Sequence, residues 1–316
     1  MSKQQIMILA LWSFPLAVFA QSEVEESYRA LVNLYRSGQL PASDLGKLAL
    51  QAKEIGERKL ADSIARDYCA DYLDGQPDSV LLSRENLQFI SGFSQLISVG
   101  DRYFADFRNH GAELEKQMGW MDGYTHQVVV WKITGKYIDS RLYKDGKPLV
   151  VRPKWKKYAR QITRAYDKSY ADDILVPAQK RFYEASKNWR AYIAIFETQL
   201  QQHPLKMGQH FLGGMVDDVW QVNGVAWMLF LQCDDTLVLK KGLDWSKLTV
   251  RLAKEANFGA CDQYLDTEAN LLYKLGQASK AILLEQEALD LTKGKVKDYI
   301  ETLTKMRAGE QTWPKE

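Results

Sequence analysis

The side chains of this chain that could do chemistry are few, and none of them is grouped in a way that commits it to a reaction. His110, His126, His203 and His210 are the only histidines. No two of them form an HExxH motif or an i, i+4 pair, the spacings that put two zinc ligands on one helix face. His203 and His210 are seven residues apart with Pro204 between them, which suits loop histidines in solvent better than a shared metal. Asp217-Asp218 and Asp234-Asp235 are paired carboxylates. Such pairs work as acid and base where burial drives their pKa values apart; at helix boundaries they more often cap N–H groups and complement the dipole. No GxSxG, P-loop or GxGxxG stands between a strand and a helix. The expectation is a chain that is not an enzyme and holds no metal or cofactor.

Cys69, Cys233 and Cys261 are odd in number and lack a CxxC spacing. Cys233 and Cys261 could pair in an oxidising compartment. They fall, however, at opposite ends of successive helices, roughly 18 Å apart at the helical rise, while a disulfide needs Cα atoms within about 7 Å. Three buried thiols are expected. The run Arg152, Lys154, Lys156, Lys157, Arg160 and Arg164, with Trp155 and Tyr158, has the composition of a nucleic-acid patch. Its aromatics share one helical face and most of its charges the other, so a solvated helix is expected. With 42 basic and 40 acidic residues, the balance gives no general pull towards nucleic acid or an anionic membrane.

The elements that position these residues are helical hairpins. In Tyr264–Leu291, Leu265, Ala269, Leu272 and Tyr273 recur at steps of three and four before Gly276. Ala281, Leu284, Ala288 and Leu291 do so after it, the mark of two helix faces. Gly276 can take the left-handed conformation that ends a helix. Small residues at Ala269, Ala281 and Ala288 with a glycine near the turn match a tetratricopeptide (TPR) repeat. Glu285 departs from it, standing where a bulky apolar residue is usual. The spacing Ala49–Gly56–Ala61 repeats that of Ala269–Gly276–Ala281. The expected fold class is all-α, a TPR-like antiparallel helix-pair array forming an α–α superhelix or solenoid.

Between these hairpins the pattern predicts helices over 101–109, 113–119, 124–143, 189–200, 219–231, 239–253 and 296–306. Pro177 is read as opening a helix and Ser186 as the turn before Trp189. Over 128–151 a helix followed by a loop is preferred to a hairpin. Residues 207–214 are the least regular part of the sequence. At the start, Lys3, the apolar run from Ile6 and the small residues Val18 and Ala20 form a secretory signal peptide cut after Ala20. The expected organisation is a signal peptide over 1–20, a degenerate helical repeat region over 21–206, TPR-like repeats over 207–308 and a flexible tail over 309–316. No later stretch is apolar enough to span a membrane, so an exported, periplasmic protein is expected.

Val222-Asn223-Gly224-Val225-Ala226-Trp227, Leu243-Asp244-Trp245-Ser246, Tyr264-Leu265-Asp266-Thr267 and Leu272-Tyr273-Lys274-Leu275-Gly276 resemble the helical region that follows the thioredoxin domain in exported thioredoxin-like proteins of the Bacteroidetes. So do Ser83-Arg84-Glu85-Asn86 and the turn from Tyr183 to Trp189. The redox domain of that family, with its CxxC, is absent from this sequence. The resemblance therefore implies a scaffold. In TPR solenoids the first helix of each repeat lines a concave, peptide-gripping face. That geometry puts Gln263, Asp266, Asn270 and Tyr273, and in the preceding pair Trp220, Asn223, Trp227 and Phe230, towards a partner. Polar members would hold peptide backbone and aromatic ones would anchor it; the two tryptophans fit a plain core equally well. The expected function is a non-catalytic scaffold for a protein or peptide. The alternatives are an auxiliary subunit of an envelope thiol-redox system, or a hydrolase with an unrecognised site.

Overall fold

The structure, a computed structural model, describes residues 25–212, 216–259 and 261–314. The signal peptide expected over 1–20 lies outside them. The described chain is almost wholly helical and divides into two compact units, one ending at Lys136 and one beginning at Tyr137. The sequence places its change of character later, at 206/207.

In the first unit a helix over 25–36 (α1) leads into α2 (Leu45–Glu54) and α3 (Arg58–Asp71). α2 and α3 fold onto each other through Leu48, Ala49 and Ala52 against Ala61, Ile64 and Ala65, all buried. A short α4 (Asp78–Leu81) and α5 (Arg84–Gly92) follow. Ser83 caps α5 by accepting the Asn86 N–H, as its position before the apolar run suggests. The two helices expected over 101–109 and 113–119 form one, α6 (Arg102–Met118), kinked at His110. Beside the kink, a Cβ on Gly111 would collide with the Thr125 hydroxyl of α7 (Tyr124–Thr134), so the two helices cross at a residue without a side chain.

A π-helical turn (Gly135–Asp139) spans the boundary between the units and leads into a short α8 (Ser140–Leu142). The preferred loop then gives way to a small antiparallel hairpin, β1 (Tyr143–Lys144) with β2 (Lys147–Pro148). Asp145 and Gly146 both take positive φ, the two-residue turn that Asp-Gly favours. Residues 128–131, the stretch that could have been a strand, are helical. α9 (Trp155–Ala165) buries Tyr158 and Ile162, while the four basic residues of the run on it, and Arg152 and Lys154 before it, are all exposed. α10 (Lys168–Ala185) starts at Asp167, whose side chain accepts the Tyr170 N–H. Pro177 therefore lies inside a helix already running, on its exposed side, where the missing N–H costs least.

Six helices complete the unit: α11 (Trp189–Gln202), α12 (Asp218–Gln232), α13 (Thr236–Glu255), α14 (Cys261–Lys274), α15 (Ala278–Leu291) and α16 (Lys297–Ala308). From α12 onwards each helix packs on the next; α11 also touches α13, and α12 touches α14.

Among the described residues five turns of this unit close in the same way, two of them at Lys293 and Gly309. In the other three, the N–H groups of Asn188, Phe258 and Gln277 reach back to the carbonyls of Tyr183, Ala253 and Leu272 at 2.8–2.9 Å. The residue before each donor, Lys187, Asn257 or Gly276, has positive φ. This is the helix-ending bond that satisfies a carbonyl left over at the last turn. The turn position expected at Ser186 is thus Lys187, so the residue five beyond it is the buried Tyr192 and not Ala191. A residue with a Cβ pays roughly 1–2 kcal/mol in the left-handed region. Lys187→Gly is expected to stabilise the protein by about 1 kcal/mol and Gly276→Ala to destabilise it by a similar amount. Thermal unfolding reads both, and equal signs would contradict a shared turn geometry.

Candidate functional site

All eight residues singled out for a partner lie on α12 and α14, which are in contact. The structure separates them by burial. Phe230 is fully enclosed, and Asn223 and Asn270 are almost so; their side chains serve the interior. Trp220, Trp227, Asp266 and Tyr273 keep part of their surface, and Gln263 is exposed. Trp220 meets the buried ring of Tyr264 edge-on at 5.7 Å. Trp227 lies against Phe230 at 4.9 Å. Both tryptophans therefore pack on the core with one face and meet solvent with the other.

The capping role of the paired carboxylates is realised on both helices. Asp217 accepts the Trp220 N–H at 2.8 Å and so starts α12. Asp235 accepts the Leu237 N–H at 2.9 Å, starting α13, and pairs with Arg190 at 2.6 Å. Their neighbours do different work. Asp218 is buried and accepts the N–H groups of Phe211 and Leu212. Asp234 pairs with Lys274 at 2.9 Å.

Two features at opposite ends of α14 were only partly legible in the sequence. At its start is a cluster of acids. Asp266 is held by Asn270, whose Nδ2 donates to Asp266 Oδ1 at 2.9 Å and to its carbonyl at 3.0 Å. Across the helix pair stands Glu285 of α15, with no exposed surface and no hydrogen-bond partner for either carboxyl oxygen. Burial pushes the Asp266 carboxyl well above the usual range; contacts with Glu285 and Asn270 pull it back, and the charges of Asp298 and Asp262 push it further up. Burial also raises Glu285, and the Asp266 charge adds to it. Two carboxylates can hydrogen-bond only if one of them carries a proton, and the opposite effects of their contact, lowering Asp266 and raising Glu285, put it on Glu285, facing Asp266 as acceptor. Nearby, Tyr299 of α16 donates to Asp262 at 2.9 Å, and burial with this acidic surrounding holds its hydroxyl protonated.

At the other end of α14 the chain is aromatic and basic. The Lys274 side chain is only 5% exposed; it donates to the Phe230 carbonyl at 2.9 Å and lies 5.1 Å from the Trp313 ring. Trp313 meets Phe230 at 6.2 Å and Tyr273 at 6.4 Å. The segment expected to be a flexible tail thus has its one indole seated on the core formed by α12, α13, α14, α15 and α16. A lone tryptophan among polar residues was the signal in the sequence.

An acid that works on substrate must reach it, and Glu285 has no surface. Among the described residues no group of three or more His, Cys, Asp or Glu side chains is placed to hold a metal ion. The cysteines are free; Cys233 alone is buried, whereas Cys69 and Cys261 are half-buried. Burial raises all three thiols, Cys69 to about 11, so none is the low-pKa thiolate that exchange chemistry uses. No helix among the described residues is long and apolar enough to cross a membrane.

No family model matches the chain, and no curated protein and no solved structure shows a match to it.

The carboxyl pair has a sign that can be read. Asp266 and Glu285 hold protons in the fold at pH values where the unfolded chain has released them. Their contribution to stability is therefore complete below the ordinary carboxylate range and is lost as pH rises through their raised values. Glu285→Gln keeps the shape and supplies a permanent N–H donor. It is expected to exceed wild type in stability by about 1–3 kcal/mol at pH 8, with the gap closing towards pH 4.5. Urea unfolding across that range checks this; a pH-independent gap would show that the pair does not titrate between the two states.

Proposed function

We propose that the chain is an exported, non-catalytic helical scaffold of TPR type that binds a protein or peptide along α12 and α14. The observation that carries the reading is the contact between these two helices. Each is the first member of its pair, α12 before α13 and α14 before α15, and first helices lie side by side when pairs stack into a superhelix. The partly exposed Trp220, Trp227 and Tyr273 supply aromatic area, and Gln263 and Asp266 supply polar groups between them. Aromatic anchors bordered by polar groups are what peptide contacts use. The resemblance to the helical region of exported thioredoxin-like proteins agrees with a scaffold role. The raised thiols favour this reading over a thiol-redox one.

Affinity capture from the native envelope fraction tests it. Wild type is expected to retain a defined partner, and Trp227→Ala together with Gln263→Ala to weaken that partner at least tenfold, a loss of about 1.4 kcal/mol or more. Both positions keep surface, so circular dichroism should show an intact fold. Undiminished binding by the double variant would remove the α12–α14 face from the interaction.

A further inference from the structure

We infer that the seat of Trp313 is a peptide-binding slot filled by the chain's own segment, and that an external extended peptide carrying a tryptophan takes it when Trp313 leaves. The inference rests on the partner-binding reading for its external occupant, but the slot itself stands on geometry. After α16 the chain turns at Gly309, whose φ is +74°, and runs on to Pro314 without helix or strand. Trp313 is the only large apolar side chain between Gly309 and Pro314. It packs on Phe230 and Tyr273, against a core that includes Ala226, Leu272 and Met306.

Three observations mark the seat as a recognition site and not only as core. The first is the cation. Lys274 is nearly buried between Asp234, the Phe230 carbonyl and the two rings of Phe230 and Trp313. A desolvated ammonium beside an indole face is a selective contact, since tryptophan is the ring that attracts a cation most strongly. The second is the incomplete fit of the present occupant. The Thr312 hydroxyl is buried without a hydrogen-bond partner, and the Gln311 amide donates to the Trp313 and Pro314 carbonyls of its own segment. The third is room. A cleft of about 510 Å³ adjoins Trp313, lined by Lys187, Leu231, Gln232, Asp234 and Lys274. Gln311, Trp313 and Pro314 form its other wall, and Lys187 at its edge is exposed. The occupant that fits is an extended peptide that lays an indole on Phe230 beside the Lys274 ammonium.

The segment is joined to α16, so it competes for its own seat at an effective concentration in the millimolar range for a short flexible linker. The slot is closed to weak ligands and opens to one that displaces Trp313.

The test uses the full chain and a fluorescein-labelled hexapeptide with its own sequence from Gln311 to Glu316. Trp313→Ala is expected to bind the peptide at least tenfold more tightly than wild type, and a peptide with alanine for tryptophan to bind neither. Equal binding to both chains, or none to the folded variant, overturns the slot. A second reading needs no variant: saturating peptide should speed amide exchange of wild-type Glu310, whose N–H is bonded to the Lys305 carbonyl, at least tenfold. Unchanged exchange also overturns it. Wild-type dimers that the peptide splits would give the seat to a second copy and overturn the external occupant. Peptide binding combined with failed partner capture keeps the slot and removes the broader reading.

Discussion

The close approach of α14 and α15 at small residues is the constraint on which the second unit depends. Ala269 and Ala281 are fully buried on opposite sides of the Gly276 turn. Methyl side chains let the two backbones come together, and the register of the pair is then fixed. One turn further from Gly276 on each helix lie Asp266 and Glu285, which must face one another whether or not that suits two acids. One turn nearer lies Tyr273, which must face outward from α15 towards Phe230 and Trp313. The acidic end and the aromatic end of α14 are thus consequences of one alanine contact.

The two ends show how a helical interior accommodates polar groups. At the aromatic end, the buried Lys274 has its needs met by Asp234 and a carbonyl. At the acidic end, Glu285 meets no donor and keeps its own proton. Replacing a buried charged group by an apolar one of similar volume is often neutral or stabilising. The acid therefore contributes little to holding the helices together, and its place in the array is occupied by leucine-like residues in the repeat pattern it departs from.

Much of this was legible in the residues. Helical periodicity located α12 to α16 within a few positions, because each buries a continuous stripe. Gly56 and Gly276 announced their turns, since glycine is the residue that takes positive φ without a penalty. Asp217 and Asp235 announced helix starts by side-chain chemistry alone. Glu285 was visible as a misfit. Other features were hidden for equally physical reasons. Lys187 carries no mark of a left-handed residue, yet it takes positive φ at the turn between α10 and α11. Pro177 reads as a helix start because its ring suits the first turn, yet on an exposed face it is tolerated inside. Of the eight residues chosen for a partner, Phe230, Asn223 and Asn270 went to the interior, because spacing identifies a helix face but not which neighbour covers it. Trp313 needed the three-dimensional seat to give it meaning.

The protonated carboxyl pair also changes how the whole molecule migrates in a field. The formal charge of +2 counts all 40 acidic side chains as ionised. A proton retained between Asp266 and Glu285 makes the folded chain more cationic than that count, and unfolding releases it. Native and unfolded forms of this protein, identical in composition, should therefore focus at different positions in a pH gradient, with the native form the more basic of the two.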